Sequence, residues 1–285
     1  MDVTQLKIKA ATIRIELMNM IARAKAGHTG GSLSNTDILV ALYYKVLNHN
    51  PQNPKDPLRD RFIASKGHAV ESLWCVLADV GYFPKTELTT FSQFGTRLIG
   101  HPNNKVPGIE MNTGALGHGL SISVGMALAG LRDKLPYRVY CLMGDGEQAE
   151  GSIWEAAMAA SHYKLSNLIG IIDANGLQIT GKTTTVLNNE PLADKWRSFG
   201  WEVVEIDGND MESIVGALTN CPINTQKPTV IIAHTVKGKG VPFAENQVGW
   251  HHRVPTEQEL FKAVTHLQAQ IESLTGGQSY EYNTK

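Results

Sequence analysis

Two spacings of apolar residues alternate along this chain. Over residues 4–26, Ile8, Ala11, Ile15, Met18 and Ile21 recur at three- and four-residue steps. That is one face of an α-helix, and Gly27 ends it. Residues 139–143 and 168–172 are instead short unbroken apolar runs, each stopped by a polar, glycine-bearing cluster. Such runs read as buried strands. Between them Ile153, Ala156, Ala157 and Ala160 return to helical spacing, and Ser152-Ile-Trp-Glu155 reads as a capping box at the helix start. The unit is strand–helix–strand, which predicts a right-handed crossover between parallel strands.

The same reading covers the rest. His28-Thr-Gly-Gly-Ser32 reads as a loop, with Ser34 and Asp37 capping a helix to about Leu47. A short strand at 61–65 leads through Lys66-Gly67-His68-Ala69 into a helix reaching Val80, and 91–95 reads as another short helix. A glycine loop, 113–119, enters a helix over 120–131 rich in small residues, which suits close packing. Beyond a polar, threonine-rich stretch at 180–189, helix 191–199, strand 201–206, helix 211–219 and strand 228–236 predict three further β–α steps in one sheet. Lys237-Gly-Lys-Gly240 reads as a solvated run, Trp250-His251-His252 as a loop, and 256–273 as a final helix. The expected fold is α/β: a mostly parallel sheet with helices on both faces, one domain over 1–275, and a tail over 276–285.

Composition narrows the class. With 42% apolar and 19% charged residues the chain is globular rather than disordered. A net charge of −1 gives no pull toward nucleic acid or an anionic membrane. Cys75, Cys141 and Cys221 form no CxxC pair, which suits a reducing compartment. The N-terminus lacks a signal peptide's apolar core, and no apolar run approaches the roughly 20 residues that span a bilayer. A soluble, cytoplasmic protein is expected.

The chemistry collects at the strand ends. Asp145 and Asn175 each lie just past the carboxyl end of a predicted strand. Parallel strands bring those ends to one edge, where open α/β sheets bind ligands. Neighbouring strands are about 4.8 Å apart, so the two side chains can converge. A carboxylate, an amide oxygen and a backbone carbonyl make half an octahedron, suited to Mg²⁺ or Ca²⁺ shared with phosphates. Gly144 and Gly146 let backbone amides approach an anion. Two other readings stand beside this one. Asp145 and Asn175-Gly176 can simply make turns. Gly144-x-Gly146-x-x-Ala149 also fits a loose dinucleotide fingerprint, with Asp173 as its ribose acid; there Asp145 would meet a pyrophosphate with like charge unless a divalent ion bridges them.

GDG followed by an Asn-Gly thirty positions on resembles the thiamine diphosphate motif, and GDGEQAEGSIWEA and DANGLQITG resemble the transketolase branch of that superfamily. The resemblance implies that Asp145, Asn175 and the main-chain oxygen of Leu177 ligate Mg (or Ca), which holds the cofactor's diphosphate beside Gly146. GHTGGSLS resembles the family's first active-site loop, placing His28 toward the substrate, with Thr29 where the family often has Pro. KGHA implies His68 at the diphosphate, and GHP implies His101 at the donor's C1 hydroxyl. TGALGHG is similar to the family's GPLGQG, whose backbone, here Gly114 and Leu116, holds the aminopyrimidine; Ala115 replaces Pro and His118 replaces Gln. His251 matches a histidine near the thiazolium, with His252 where the family usually has Gly.

The family also places Glu150 at a contact between chains, coupled to a glutamate of another chain that activates N1′ of the cofactor. The pyrimidine-binding domain carrying that glutamate, and the sugar-phosphate residues, are not among these motifs. A split enzyme is therefore expected: an α2β2 assembly with a C-terminal transketolase subunit, transferring a two-carbon ketol unit from a ketose to an aldose. His28 and His251 would move protons. Deoxyxylulose-phosphate synthase and 2-oxoacid dehydrogenase components share the metal motif, but the three histidine loops favour transketolase. A nicotinamide-linked dehydrogenase and a non-catalytic remnant are the remaining alternatives.

Overall fold

The computed structural model describes residues 1–276. The expected tail therefore lies, beyond Gly276, outside the described residues. In chain order the structure contains α1 (Val3–Ala24), α2 (Thr29–Ser34), α3 (Thr36–Ala41), β1 (Arg61–Ala64), α4 (Glu71–Asp79), α5 (His118–Arg132), β2 (Val139–Gly144), α6 (Gly151–His162) and β3 (Leu168–Ala174). There follow β4 (Leu177–Gln178), β5 (Gly181–Lys182), α7 (Thr183–Val186), α8 (Leu192–Ser198), β6 (Glu202–Asp207), α9 (Met211–Thr219), β7 (Thr229–His234) and α10 (Glu257–Leu274).

Five strands make one all-parallel sheet in the order β1-β2-β3-β7-β6. Side chains alternate between its faces. Phe62, Tyr140, Leu142, Ile169, Ile171 and Ile231 point to a core built with α1, α3, α4 and α9. Ile63, Cys141, Met143, Ile172, Val230 and Ile232 point to a second core built with α5, α6 and α8. Both faces are covered, which is why the strands read as continuous apolar runs. Helix α10 lies outside α1, joined through Ile8, Ala11, Ile15, Leu267 and Ile271. Its Thr256–Glu259 capping box fixes where it starts.

The central expectation is met: β2 and β3 are parallel neighbours, with Gly144 opposite Asp173, so Asp145 and Asn175 follow at one sheet edge. Several local readings are corrected. Two strands, not three, extend the sheet beyond β3, and the later one, β7, is inserted next to β3 while β6 takes the edge. Residues 177–182 form a separate antiparallel hairpin instead.

The predicted loop at His28 is helical from Thr29. Neither Ser34 nor Asp37 caps a helix. Ser34 Oγ donates to Asp173 at 2.6 Å, and Asp37 forms a buried ion pair with Arg14 at 2.6 Å. That pair, with the Arg14 Nη2 bond to Leu33 O at 3.1 Å, locks α1 onto the α2–α3 corner. Ser152 is no cap either: α6 begins at Gly151, and Ser152 Oγ donates to Gly117 O at 3.0 Å. The helical turn expected at 91–95 lies instead at Lys85–Thr90 as a 3₁₀ segment.

Candidate active site

The site forms where the β1, β2 and β3 ends meet α2 and the segment after β7. Asp145 Oδ1 accepts the Gly146 N–H at 2.8 Å and Oδ2 accepts the Gly176 N–H at 2.6 Å. One carboxylate thus ties the two strand ends together. Asn175 Oδ1 accepts the Leu177 N–H at 3.1 Å, and its Nδ2 contacts Asp173 Oδ1 at 3.3 Å. Burial, then the neighbouring Asp173, pushes the Asp145 acid up to about 6. Among the described residues no cation forms an ion pair with Asp145. An under-neutralised carboxylate beside an amide oxygen and a backbone carbonyl suits a hard divalent cation. No three His, Cys, Asp or Glu side chains converge as metal ligands among the described residues. A cation here would therefore share its shell with a ligand anion.

Asp173 is not a ribose acid. It is fully buried and bonded to Lys66, Ser34 and Thr235. Burial alone would raise its pKa, but Lys66 and these donors hold the carboxyl below its usual range. A carboxylate committed in this way has nothing left for a sugar hydroxyl, which removes the dinucleotide reading.

Around the strand ends stand five imidazoles. The His28 ring lies 5.3 Å from His68, 6.0 Å from His101, 5.8 Å from His251 and 4.5 Å from His252. His68 and His251 stack at 5.3 Å. Four sequence-distant loops therefore meet. Burial, chiefly, lowers His28 to about 4 and His251 to about 3, and lowers His68 and His101 as well. All four are neutral near pH 7, so each ring has one donor nitrogen and one acceptor nitrogen. Thr29 Oγ1 donates to Arg253 O at 2.5 Å, a bond the Pro often found there could not make. At Gly30 a Cβ would sit 2.8 Å from Trp250 O, so the glycine is what lets this segment close on α2.

Most predicted residues share one cavity of about 370 Å³. Asp145, Gly146, Asn175, Leu177, His68, Leu116, Glu150 and His251 line it. His28, His101 and Gly114 are not in its wall. His28 adjoins it through the rings of His68 and His251. Gly114 (φ 136°) lies so close to His101 that a Cβ would fall 2.4 Å from the ring. Glu150 is exposed, in extended backbone at the start of α6, and makes no capping bond. A larger hollow of about 690 Å³ shares Asp145, Asn175 and Leu177 but opens toward α8 and holds none of the five imidazoles. The smaller one is the candidate site because the chemistry converges there.

Three residues that act in this site are not marked by the sequence pattern as functional. Lys237, in the run expected to be solvated, is 2% exposed. Its Nζ donates to Leu177 O at 2.8 Å and to His251 Nδ1 at 2.8 Å. Burial, then Lys66, lowers its ammonium to about 8. The Leu177 carbonyl has a second lone pair for a cation. Lys66 is equally buried against Asp173. Glu147 accepts from Gly144 N at 3.0 Å, Gly117 N at 2.8 Å and Ser65 Oγ, and so holds three loops together. Position alone marks Glu147, directly after the glycine turn; nothing marks the two lysines.

The family description "Transketolase, thiamine diphosphate binding domain" matches residues 5–270. One of the two chains of the apulose-4-phosphate transketolase of Phocaeicola vulgatus is 47% identical over 274 residues, covering 96% of this chain and 98% of its own. The 6-deoxy-6-sulfo-D-fructose transketolase subunit SqwG of a Clostridium species is 43% identical, covering 92% of this chain and 96% of its own. Human transketolase is 35% identical over 94% of this chain but only 43% of itself. Among solved structures, a transketolase mutant from Pichia stipitis superposes with a TM-score of 0.86 at 30% identity, over 97% of this chain and 44% of that one. The match is thus nearly end to end with proteins named as transketolase subunits, and under half the length of single-chain transketolases. The chain belongs to the transketolase family, as an N-terminal, thiamine diphosphate-binding subunit of the split kind.

Proposed function

We propose that this chain, with Mg²⁺ and thiamine diphosphate, is half of a transketolase that moves a two-carbon ketol unit from a ketose, phosphorylated or otherwise anionic, to an aldose. The supporting observation is the convergence of Asp145, Asn175 and the Leu177 carbonyl with the imidazole cluster on one cavity. Asp145, Asn175 and Leu177 O hold the cation. His68 and the amides around Gly146 hold the diphosphate, with Lys237 and Lys66 balancing its charge. The backbone at Gly114 and Leu116 holds the aminopyrimidine. The cofactor, when bound, supplies the carbanion and the electron sink. The protein supplies placement and proton transfer. His28, neutral and able to accept, takes a proton from a donor hydroxyl. His101 orients the C1 hydroxyl. His251, fixed by Lys237 at Nδ1, presents its Nε2–H as a donor near the reacting carbon.

The partner is a C-terminal transketolase subunit carrying the N1′-activating glutamate and the sugar-phosphate groups, in an α2β2 assembly contacted through Glu150. The relatives matched over their full length are each named as one subunit of a transketolase, which supports a separate partner. Their names carry a sugar phosphate in two cases and a sulfonated sugar in the third, which supports an anionic donor. Three free buried cysteines, and no described helix long and apolar enough to cross a membrane, support placing it in the cytoplasm. The direct test is a melt. Mg²⁺ plus thiamine diphosphate should raise the melting temperature of the full chain, NAD should not, and Mg²⁺ should be required. Stabilisation by NAD, or none by the cofactor pair, would sink the proposal.

A further inference from the structure

Behind His28 lies a carboxylate that the metal and cofactor assignments do not use. Glu71 opens α4 and is fully buried. Its Oε1 accepts the His28 N–H at 2.7 Å, and its Oε2 accepts the Ser32 hydroxyl at 2.6 Å. These two bonds pin the first turn of α2, and with it the His28 backbone. The one ion-pair contact of Glu71 among the described residues is His28 itself, with Nδ1 4.0 Å from Oε1. His28 Nδ1 is buried and has no hydrogen-bond partner. A buried ring nitrogen left unpaired costs about 1–3 kcal/mol. Closing the gap by roughly 1 Å would make a charge-assisted hydrogen bond.

We propose that Glu71 is the positioning residue for His28: its carboxylate accepts from Nδ1–H, holds the imidazole in that tautomer, and leaves Nε2 as the nitrogen that takes the proton. When the donor hydroxyl's O–H bond breaks, the proton goes to Nε2 and the electron pair stays on oxygen. The imidazolium so formed sits against the Glu71 carboxylate. The proposal deepens the reading of His28 as a proton acceptor and rests on it.

The groups facing this pair are few. Ser32 and Lys66 face the carboxylate; His68, His101, His251, His252 and Lys237 surround the ring. Burial raises the Glu71 acid to about 7 against the bonds from Ser32 and the His28 N–H. His28 stays neutral there, since its own value is about 4. Above that pH Glu71 is a carboxylate and favours Nδ1–H. Below it the neutral acid can donate to Nδ1 instead, and the ring proton moves to Nε2.

The test reads the tautomer directly, by long-range ¹H–¹⁵N NMR of the full chain labelled with ¹⁵N-histidine, with His28→Asn to assign the signal. At about pH 8.5 His28 should be Nδ1-protonated, shifting toward Nε2–H by about pH 6. Glu71→Gln keeps the size and an acceptor but cannot titrate, so its tautomer should not change over that range. A wild-type ring that is Nε2-protonated at the higher pH overturns the proposal, whether or not the variant folds. So does a Glu71→Gln chain that follows the wild-type pH course. Assembled with its partner subunit, Glu71→Gln should lose about tenfold in kcat with an unchanged KM for thiamine diphosphate, which an unfolding effect would not produce. If wild type shows no ketol transfer, the functional reading fails while the tautomer result stands by itself.

Discussion

Asp145 and Lys237 sit on opposite sides of the cation position, and their charges make opposite predictions. Asp145 is a carboxylate held up to about 6 by burial and by Asp173. Replacing it with Ala should abolish the Mg²⁺-dependent melting shift, which is worth about 2.7 kcal/mol when the ligand is at a hundred times its dissociation constant. An undiminished shift would remove Asp145 from the site. Lys237→Met should leave the cofactor-free chain as stable or more so, because a buried cation is exchanged for an apolar chain of similar length. It should weaken thiamine diphosphate binding about tenfold, roughly 1.4 kcal/mol, measured by calorimetry. The histidines add a pH dependence. His28 is depressed to about 4 when folded against about 6.5 unfolded. Its contribution is therefore complete above pH 6.5 and is lost as pH falls toward 4. At about pH 5 that loss is about 1–2 kcal/mol for a mostly buried ring. His28→Asn should accordingly lose less stability than wild type between about pH 7 and pH 5, read from denaturant midpoints. Asp145 and the histidines are legible in the sequence because glycine-flanked polar residues at strand ends have few structural reasons to be there. Lys237 is not. A lysine among glycines looks solvated, and only the inserted position of β7 carries it under Leu177 O.

At the level of elements, the β2–α6–β3 unit is readable because strands buried on both faces leave an unbroken apolar signature. The helix at Thr29–Ser34 is not readable, since Gly30 and Gly31 argue against helix. They are tolerated because Ser32 and Ser34 are bonded to buried carboxylates on α4 and β3. The corner is held from the other side by the Arg14–Asp37 pair, to which Asn209 Nδ2 adds a bond to Asp37 at 2.8 Å. Both partners are buried, so removing one strands the other's charge. Asp37→Ala should cost about 3–5 kcal/mol. The double variant Arg14→Met, Asp37→Leu should cost clearly less, because no charge is left unpaired. Equal losses in urea unfolding for single and double variants would show that packing, not charge, holds the corner. The order of β6 and β7 is equally hidden, since either strand could follow β3 under a right-handed crossover rule.

On the scale of the molecule, one side of the cavity asks for a cover. Ile179, Val186 and Leu187 line it yet are 63%, 44% and 55% exposed. Glu150, also exposed, lies beside them in the same wall. Apolar side chains rimming a polar cavity mark an interaction surface more often than a solvent face. A catalytic pocket open on that side would admit water to the reacting atoms. The chain alone should therefore bind Mg²⁺ and thiamine diphosphate but transfer ketol units poorly or not at all. Activity should appear on titrating in a C-terminal subunit, with sedimentation showing a complex of both chains. Glu150→Ala then separates two roles. A residue that only fills the first turn of α6 would lower stability slightly and leave the mixed enzyme's kcat intact. A residue that couples to the partner's glutamate would leave the isolated chain's Mg²⁺-dependent melting shift unchanged and lower kcat of the mixed enzyme by about a hundredfold, roughly 2.7 kcal/mol of transition-state stabilisation. Full ketol transfer by the purified chain, or a Glu150→Ala enzyme as fast as wild type, would place the working interface elsewhere.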